Sequence, residues 1–179
     1  MSLLARLRRF RRAQSGLAAL EFALIAPMMI FLLLGTVELI DSLGADRRTE
    51  NVAASISDVV SRDTEISNSE VTGLWSAINV LMFPDTAADM DVRVTSVMIS
   101  SATSAKVTWS EVHNHFSQLP VNSSVNLPAE MMVPGTSVIM TEVVEHYVPP
   151  LNILFNGTFA LSHTAYRRSR LVDPIPRVS

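Results

Sequence analysis

Residues 17–37 have the sequence LAALEFALIAPMMIFLLLGTV, and this stretch decides how the chain folds. Glu21 is its only ionisable side chain. At about 1.5 Å of rise per residue, a helix of this length matches the hydrocarbon core of a bilayer, which is about 30 Å thick. The stretch therefore predicts one membrane-spanning helix near the amino end.

The segment before this helix is basic. Residues 1–16 contain no acidic side chain and five arginines, which are Arg6, Arg8, Arg9, Arg11 and Arg12. Because positive charge is retained on the cytoplasmic side, these arginines predict a cytoplasmic amino end and a body on the opposite side of the membrane. Five of the 14 basic residues lie in this leader, so the remainder of the chain contains nine basic and 17 acidic residues. An acidic body argues against nucleic acid as a partner.

A secretory signal peptide is the ordinary alternative for a basic start followed by an apolar run. The small residues of 42–45 could supply its cleavage site. However, the apolar region of a signal peptide is usually only about 7–15 residues long. The longer run, with Glu21 inside it, favours a membrane helix.

The helical pattern continues beyond the apolar run to about Ser61. Val52, Ile56, Val59 and Val60 fall on one helical face. This predicts an amphipathic stalk that packs on a globular domain. We divide the chain into a basic leader (1–16), a transmembrane helix with its stalk (17–66) and a periplasmic α+β domain (67–179).

The remaining chain predicts a second helix followed by strands. Ser67 and Glu70 have the spacing of a capping box, and helical periodicity follows to Leu81. Alternating polar and apolar residues predict strands at 91–100, 106–112, 137–148 and 158–168. A short helix is predicted separately at 129–132, within the loop-like segment before the third strand. The expected fold class is α+β, with a mostly antiparallel sheet of about four strands packed on helices.

The same alternation predicts which side chains of the strands face the core. In the first strand these are Val92, Val94 and Met98. In the later strands Trp109, Val144 and Phe159 are expected in the core or close to it.

Three segments resemble a known family. The residues 16–27, GLAALEFALIAP, follow a basic leader and resemble the TadE-like pseudopilins of tight-adherence (Flp, type IV-like) pili. Residues 137–149 resemble that family's long strand ending in proline, and residues 164–171 resemble its basic near-terminal strand. Residues 63–134 add little to the resemblance.

The resemblance implies a processed assembly protein. A prepilin peptidase of the bacterial inner membrane would cleave between Gly16 and Leu17, and Glu21 would pair with the amino terminus of a neighbouring subunit. The partners implied are other minor pilin-like subunits and the major pilin, contacted through helix packing. The function implied is the assembly or initiation of pili that serve adhesion and biofilm formation.

Other interpretations stay open at this point. Glu21 could lie partly hydrated at headgroup level, since charge costs less near the ends of a span. The chain could be an uncleaved, single-span anchor for a periplasmic binding or sensing domain, in which case the arginines persist. It could also be a secreted enzyme that starts near Ala45.

The sequence offers little chemistry for an enzyme or a metal. It contains no cysteine, no Gly-x-Ser-x-Gly elbow and no Gly-rich phosphate loop. His113 and His115 could share one face of a strand, but a third ligand with suitable spacing is lacking. The spacing of Asp85, Asp89 and Asp91 is not that of an EF-hand loop. We therefore expect neither an enzyme nor a cofactor or metal site.

Overall fold

The computed structural model describes residues 16–179 and forms two compact units. The first unit contains the described residues up to Asp41 together with Pro149–Asn156. The second contains Ser42–Val148 and Gly157–Ser179. The division between these units falls within a helix at residue 41, and the domain boundaries proposed from the sequence stay a prediction.

The first unit is built on the amino-terminal part of helix α1, which spans Leu17–Val60. The predicted helix from the apolar run to about Ser61 is therefore confirmed. Pro27 lies inside the helix without ending it. Most side chains between Leu17 and Val37 are exposed, in keeping with a surface that needs a non-aqueous environment.

The second unit contains the rest of α1, a second helix and a four-stranded sheet. Its elements are α2 (Asn68–Leu81), β1 (Met90–Ser101), β2 (Ser104–His113), β3 (Ser137–Tyr147) and β4 (Phe159–Arg168). The strands lie in the order β2-β1-β3-β4 and every neighbouring pair is antiparallel. The predicted α+β class, with a long apolar amino-terminal helix, is confirmed.

Helix α2 begins where the sequence predicts. The hydroxyl of Ser67 accepts a hydrogen bond from the main-chain N–H of Glu70, and the carboxylate of Glu70 accepts one from the N–H of Ser67. This reciprocal capping satisfies two donors that the first turn would otherwise leave free. The short helix predicted at 129–132 is a single 3₁₀ turn, Ala129–Met131.

The main core lies between the helices and one face of the sheet. Val52, Ile56 and Val60 of α1 belong to the same buried cluster as Val92 and Val143 of the sheet. The carboxyl-terminal half of α1 is thus part of the globular unit because its apolar side chains complete this core. The prediction that Val59 shares the buried face is wrong, since its side chain is 52 % exposed.

The other face of the sheet has a smaller cluster of its own. Val97, Ile99 and Val138 are buried there, and residues of the 125–132 connection pack over them. The prediction that Met98 is a core residue is confirmed only in part, because Met98 is half-buried while its two neighbours are fully buried. Simple alternation failed here because both faces of β1 are covered.

The core positions predicted for the later strands are confirmed only in part. Trp109 is buried, and its indole N–H donates to the carbonyl oxygen of Ile175 over 2.7 Å. Val144 and Phe159 are half-buried. Val143, on the opposite face of β3 from Val144, fills the main core instead.

Candidate membrane and processing site

The junction between Gly16 and Leu17 marks the start of α1. Gly16 is exposed, and a Cβ added to it would meet no atom of residues 16–179 within 4 Å. The side chain of Leu17 is 56 % exposed. Both residues at the predicted cleavage site are therefore exposed. The arginines expected to orient the chain, at positions 6–12, lie outside the described residues.

Glu21 lies just over one helical turn after Leu17, on an exposed part of α1. Within residues 16–179, its carboxylate makes no hydrogen bond or ion pair. The large apolar side chains around it, including Leu20, Phe22 and Leu24, are also exposed. Among the described residues Glu21 is thus a lone carboxylate on a lipophilic helix surface, where it is exposed to a partner.

A second carboxylate, Glu38, follows the apolar run directly and is fully buried. Its Oε2 accepts hydrogen bonds from the main-chain N–H of Ile153 at 2.9 Å and of Leu154 at 2.7 Å. Its Oε1 is buried without a hydrogen-bond partner in the described part of the chain. Local sequence patterns do not predict this role, because the partners of Glu38 lie more than a hundred residues away. The available signal was an acid at the first position after the apolar run.

The two histidines considered as metal ligands, His113 and His115, have different partners. His113 stacks on Trp75, with ring centroids 5.2 Å apart, whereas the Nδ1 of His115 lies 3.0 Å from Asp91. His146 also contacts Asp91, at 3.1 Å, and His163 contacts Asp46. Over residues 16–179, no three acidic or histidine side chains are grouped as they would be around a metal ion.

The three acidic residues of the 85–91 segment do not converge either. Asp85 pairs with Arg48 of α1. Asp91 accepts hydrogen bonds from the main-chain N–H of His115 and contacts two imidazoles. Burial raises the pKa of Asp91, but these hydrogen bonds outweigh it and hold the pKa below its ordinary value. The arrangement ties β1 to the chain after β2 and to β3.

An apolar groove of about 550 Å³ lies between the carboxyl-terminal half of α1 and α2. Ile56, Val59, Leu74 and Val80 contribute to its walls, and Asp63 lies among the lining residues. Burial, reinforced by the charge of Glu70, raises the pKa of Asp63. The lining contains no paired nucleophile and base, so the groove does not resemble a catalytic centre.

The described residues thus define a protein class with one apolar amino-terminal helix, long enough to cross a membrane, and an α+β globular unit. The helix carries the family signature: a model of the TadE-like protein family matches residues 16–56. The suspected resemblance to TadE-like proteins is therefore confirmed over the helix, and it supports a pilin-like role associated with tight-adherence pili. The expected resemblance at 137–149 and 164–171 lies beyond the matched segment. No curated protein and no solved structure matches the chain.

Proposed function

We propose that this chain is a minor pseudopilin that takes part in the assembly or initiation of tight-adherence pili. The observation that carries the proposal is the exposed apolar run at the start of α1, whose single carboxylate, Glu21, has no ion-pair partner among residues 16–179. An apolar surface of this extent is unfavourable in water and favourable in a bilayer or against other apolar helices. The match of residues 16–56 to the TadE-like family supports the same role.

The proposed maturation is cleavage between Gly16 and Leu17 by a prepilin peptidase of the inner membrane. The exposure of Gly16 and the lack of other described residues within 4 Å of its Cβ position support access of the peptidase to this bond. Cleavage removes the five arginines that hold the helix at the cytoplasmic face. It also creates a positively charged α-amine at Leu17.

The new amine supplies a partner for Glu21. A lone carboxylate at the centre of a membrane helix costs about 2.5–3.5 kcal/mol on insertion scales, and pairing with a cation reduces this cost. We assign the pairing to the amine of a neighbouring subunit, because the exposed carboxylate is available to a second helix. Such a pair fixes the register between two packed helices.

The proposed orientation follows from the charge distribution. The amino end lies in the cytoplasm of the bacterium, α1 crosses the inner membrane once, and residues 67–179 lie in the periplasm. Other minor pilin-like subunits, and the major pilin, would contact the exposed face of α1. These contacts would serve adhesion and biofilm formation through the pilus.

Replacement of Gly16 tests the proposed processing. Gly16→Leu fills the open site at the bond and should leave the leader attached in cells that process the wild-type chain. Gly73→Leu is the matched control, because a Cβ added at Gly73 would also meet no described atom within 4 Å, but Gly73 lies in α2. Intact-mass measurement of the membrane-extracted variants reads out the result. A Gly16→Leu chain that starts at Leu17 like the wild type would contradict the proposal.

A further inference from the structure

The connection between β3 and β4 has an unusual composition and position. Its central part, Pro149–Asn156, which we name the β3–β4 loop, belongs to the same compact unit as the apolar part of α1. The loop contains no ionisable residue. Half of its residues are large and apolar, namely Leu151, Ile153, Leu154 and Phe155. A connection of this composition is unusual for a loop in water.

One close contact lies between the loop and the apolar run of α1. A Cβ added to Gly35 would lie 3.1 Å from the Cγ and the Cδ2 of Leu154. The absence of a side chain at Gly35 therefore allows Leu154 to approach the helix backbone. Gly35 belongs to the apolar run 17–37, so Leu154 lies beside the last turn of the segment that would occupy the bilayer.

Glu38 removes the main obstacle to placing an irregular loop there. Main-chain N–H groups without partners cost several kcal/mol each in hydrocarbon, so irregular backbone is excluded from lipid unless it is satisfied. The carboxylate of Glu38 accepts the N–H groups of Ile153 and Leu154. It thereby satisfies the backbone at the point where the loop meets the apolar run.

Beside the last turn of the apolar run, the loop also exposes apolar side chains. Leu151 is 41 % exposed and Leu154 is 44 % exposed, although the latter contacts Gly35. Asn152 between them adopts a left-handed conformation, with φ of 51°, which turns the chain sharply. Outward leucines on a charge-free turn are suited to the boundary between headgroups and acyl chains.

We propose that the β3–β4 loop is a second membrane contact, inserted into the outer boundary of the bilayer and fixed to α1 by Glu38. The occupant of its apolar surface is lipid, because the loop is continuous with the last turn of the membrane helix. The proposal rests on the membrane anchoring of α1. It adds that the globular unit is held at the bilayer at two points of the chain.

Site-specific fluorescence in vesicles tests the proposal on the full chain. Because the sequence has no cysteine, Leu151→Cys provides a unique site for an environment-sensitive fluorophore. The reference sites are Phe31→Cys in the apolar run and Val121→Cys in the second unit, which are 51 % and 61 % exposed in the parent chain. The vesicles contain phosphatidylethanolamine and phosphatidylglycerol, and the two quenchers are a nitroxide-labelled lipid and aqueous iodide.

We expect lipid nitroxide to quench the label at position 151 to within about twofold of the label at position 31, with little effect of iodide. The label at 121 should show the opposite behaviour. Iodide quenching at 151 like that at 121 would overturn the proposal, and so would protection from both quenchers, which indicates a protein partner. If the label at position 31 is also quenched by iodide, the membrane anchoring itself fails, so the two failures are distinguishable.

The role of Glu38 has a separate test with the label at 151. Glu38→Ala should shift quenching from the lipid nitroxide towards iodide, since two N–H groups lose their acceptor. Glu38→Gln keeps one carbonyl acceptor and should give an intermediate result. Glu50→Ala is the control, because Glu50 is an exposed acid of the same helix in the second unit. Unchanged lipid quenching in Glu38→Ala would refute the assignment of Glu38 as the anchor of the loop.

Discussion

Replacement of Glu21 separates membrane anchoring from subunit association. Glu21→Ala and Glu21→Gln remove the one charge of the apolar run, so insertion of α1 should be as favourable as in the wild type or more so. The same change removes the proposed partner of a neighbour's amine. The substitution should therefore preserve or strengthen membrane insertion while it weakens subunit association, so one variant distinguishes the two roles.

The size of the effect follows from the unpaired state of Glu21 in residues 16–179. If pairing with a neighbour recovers an insertion cost of about 2.5–3.5 kcal/mol, its loss weakens association on the order of 100-fold, at about 1.4 kcal/mol per tenfold. A shallower position of the carboxylate would reduce this figure. We therefore expect a large loss of assembly and no loss of folding.

The assay compares two fractions from the same cells. Membrane content is measured by immunoblotting, while subunit association is measured by cross-linking in the membrane and by counting pili. Glu50→Gln serves as the control for removal of an exposed acid from the same helix. Normal piliation in Glu21→Ala would refute the pairing. Loss of the variant from the membrane would refute the prediction that removal of this charge does not weaken the insertion of α1.

Two further predictions concern the globular unit, and urea unfolding of the full chain in detergent measures both. Asp91→Asn should lower the free energy of unfolding by about 1.5–3 kcal/mol at neutral pH, since Asp91 is buried and its carboxylate accepts a hydrogen bond from the N–H of His115. Because the folded-state pKa of Asp91 is below the ordinary 3.8, its contribution is present above that pH and disappears as the pH falls through the folded-state pKa. The difference between the variant and the wild type should therefore narrow in acid, and a difference independent of pH would contradict this reasoning. Trp109→Phe should lower the free energy of unfolding by about 1–3 kcal/mol, because the buried carbonyl of Ile175 loses the indole N–H that donates to it. An unchanged urea midpoint would show that this hydrogen bond does not contribute to stability.

Local signals predicted much of the fold. The apolar run predicted the amino-terminal part of helix α1, because all of its residues except Glu21 lack charge and most favour burial in lipid or protein irrespective of distant contacts. The capping box predicted the start of α2, since its two partners, Ser67 and Glu70, lie within one helical turn of each other. The alternation of polar and apolar residues, with a period of two, predicted all four strands. These features depend on residues that are close in sequence.

Long-range contacts account for what the sequence analysis missed. Met98 was assigned to the core from alternation, but the 125–132 connection covers the second face of the sheet and buries its neighbours. Val59 fits the helical stripe of α1 but faces the groove beside α2. Glu38 has its partners in the β3–β4 loop, at a separation that no local pattern encodes. The processing residues Gly16, Leu17 and Glu21 came from sequence alone and stay predictions.

The mass of the native polypeptide tests the central proposal most directly. The protein is extracted from membranes of cells with an intact pilus system, and its intact mass and first residue are determined. The account predicts a chain that begins at Leu17 and lacks residues 1–16. A native chain that still carries Arg6–Arg12, or one that begins near Ala45, would contradict it.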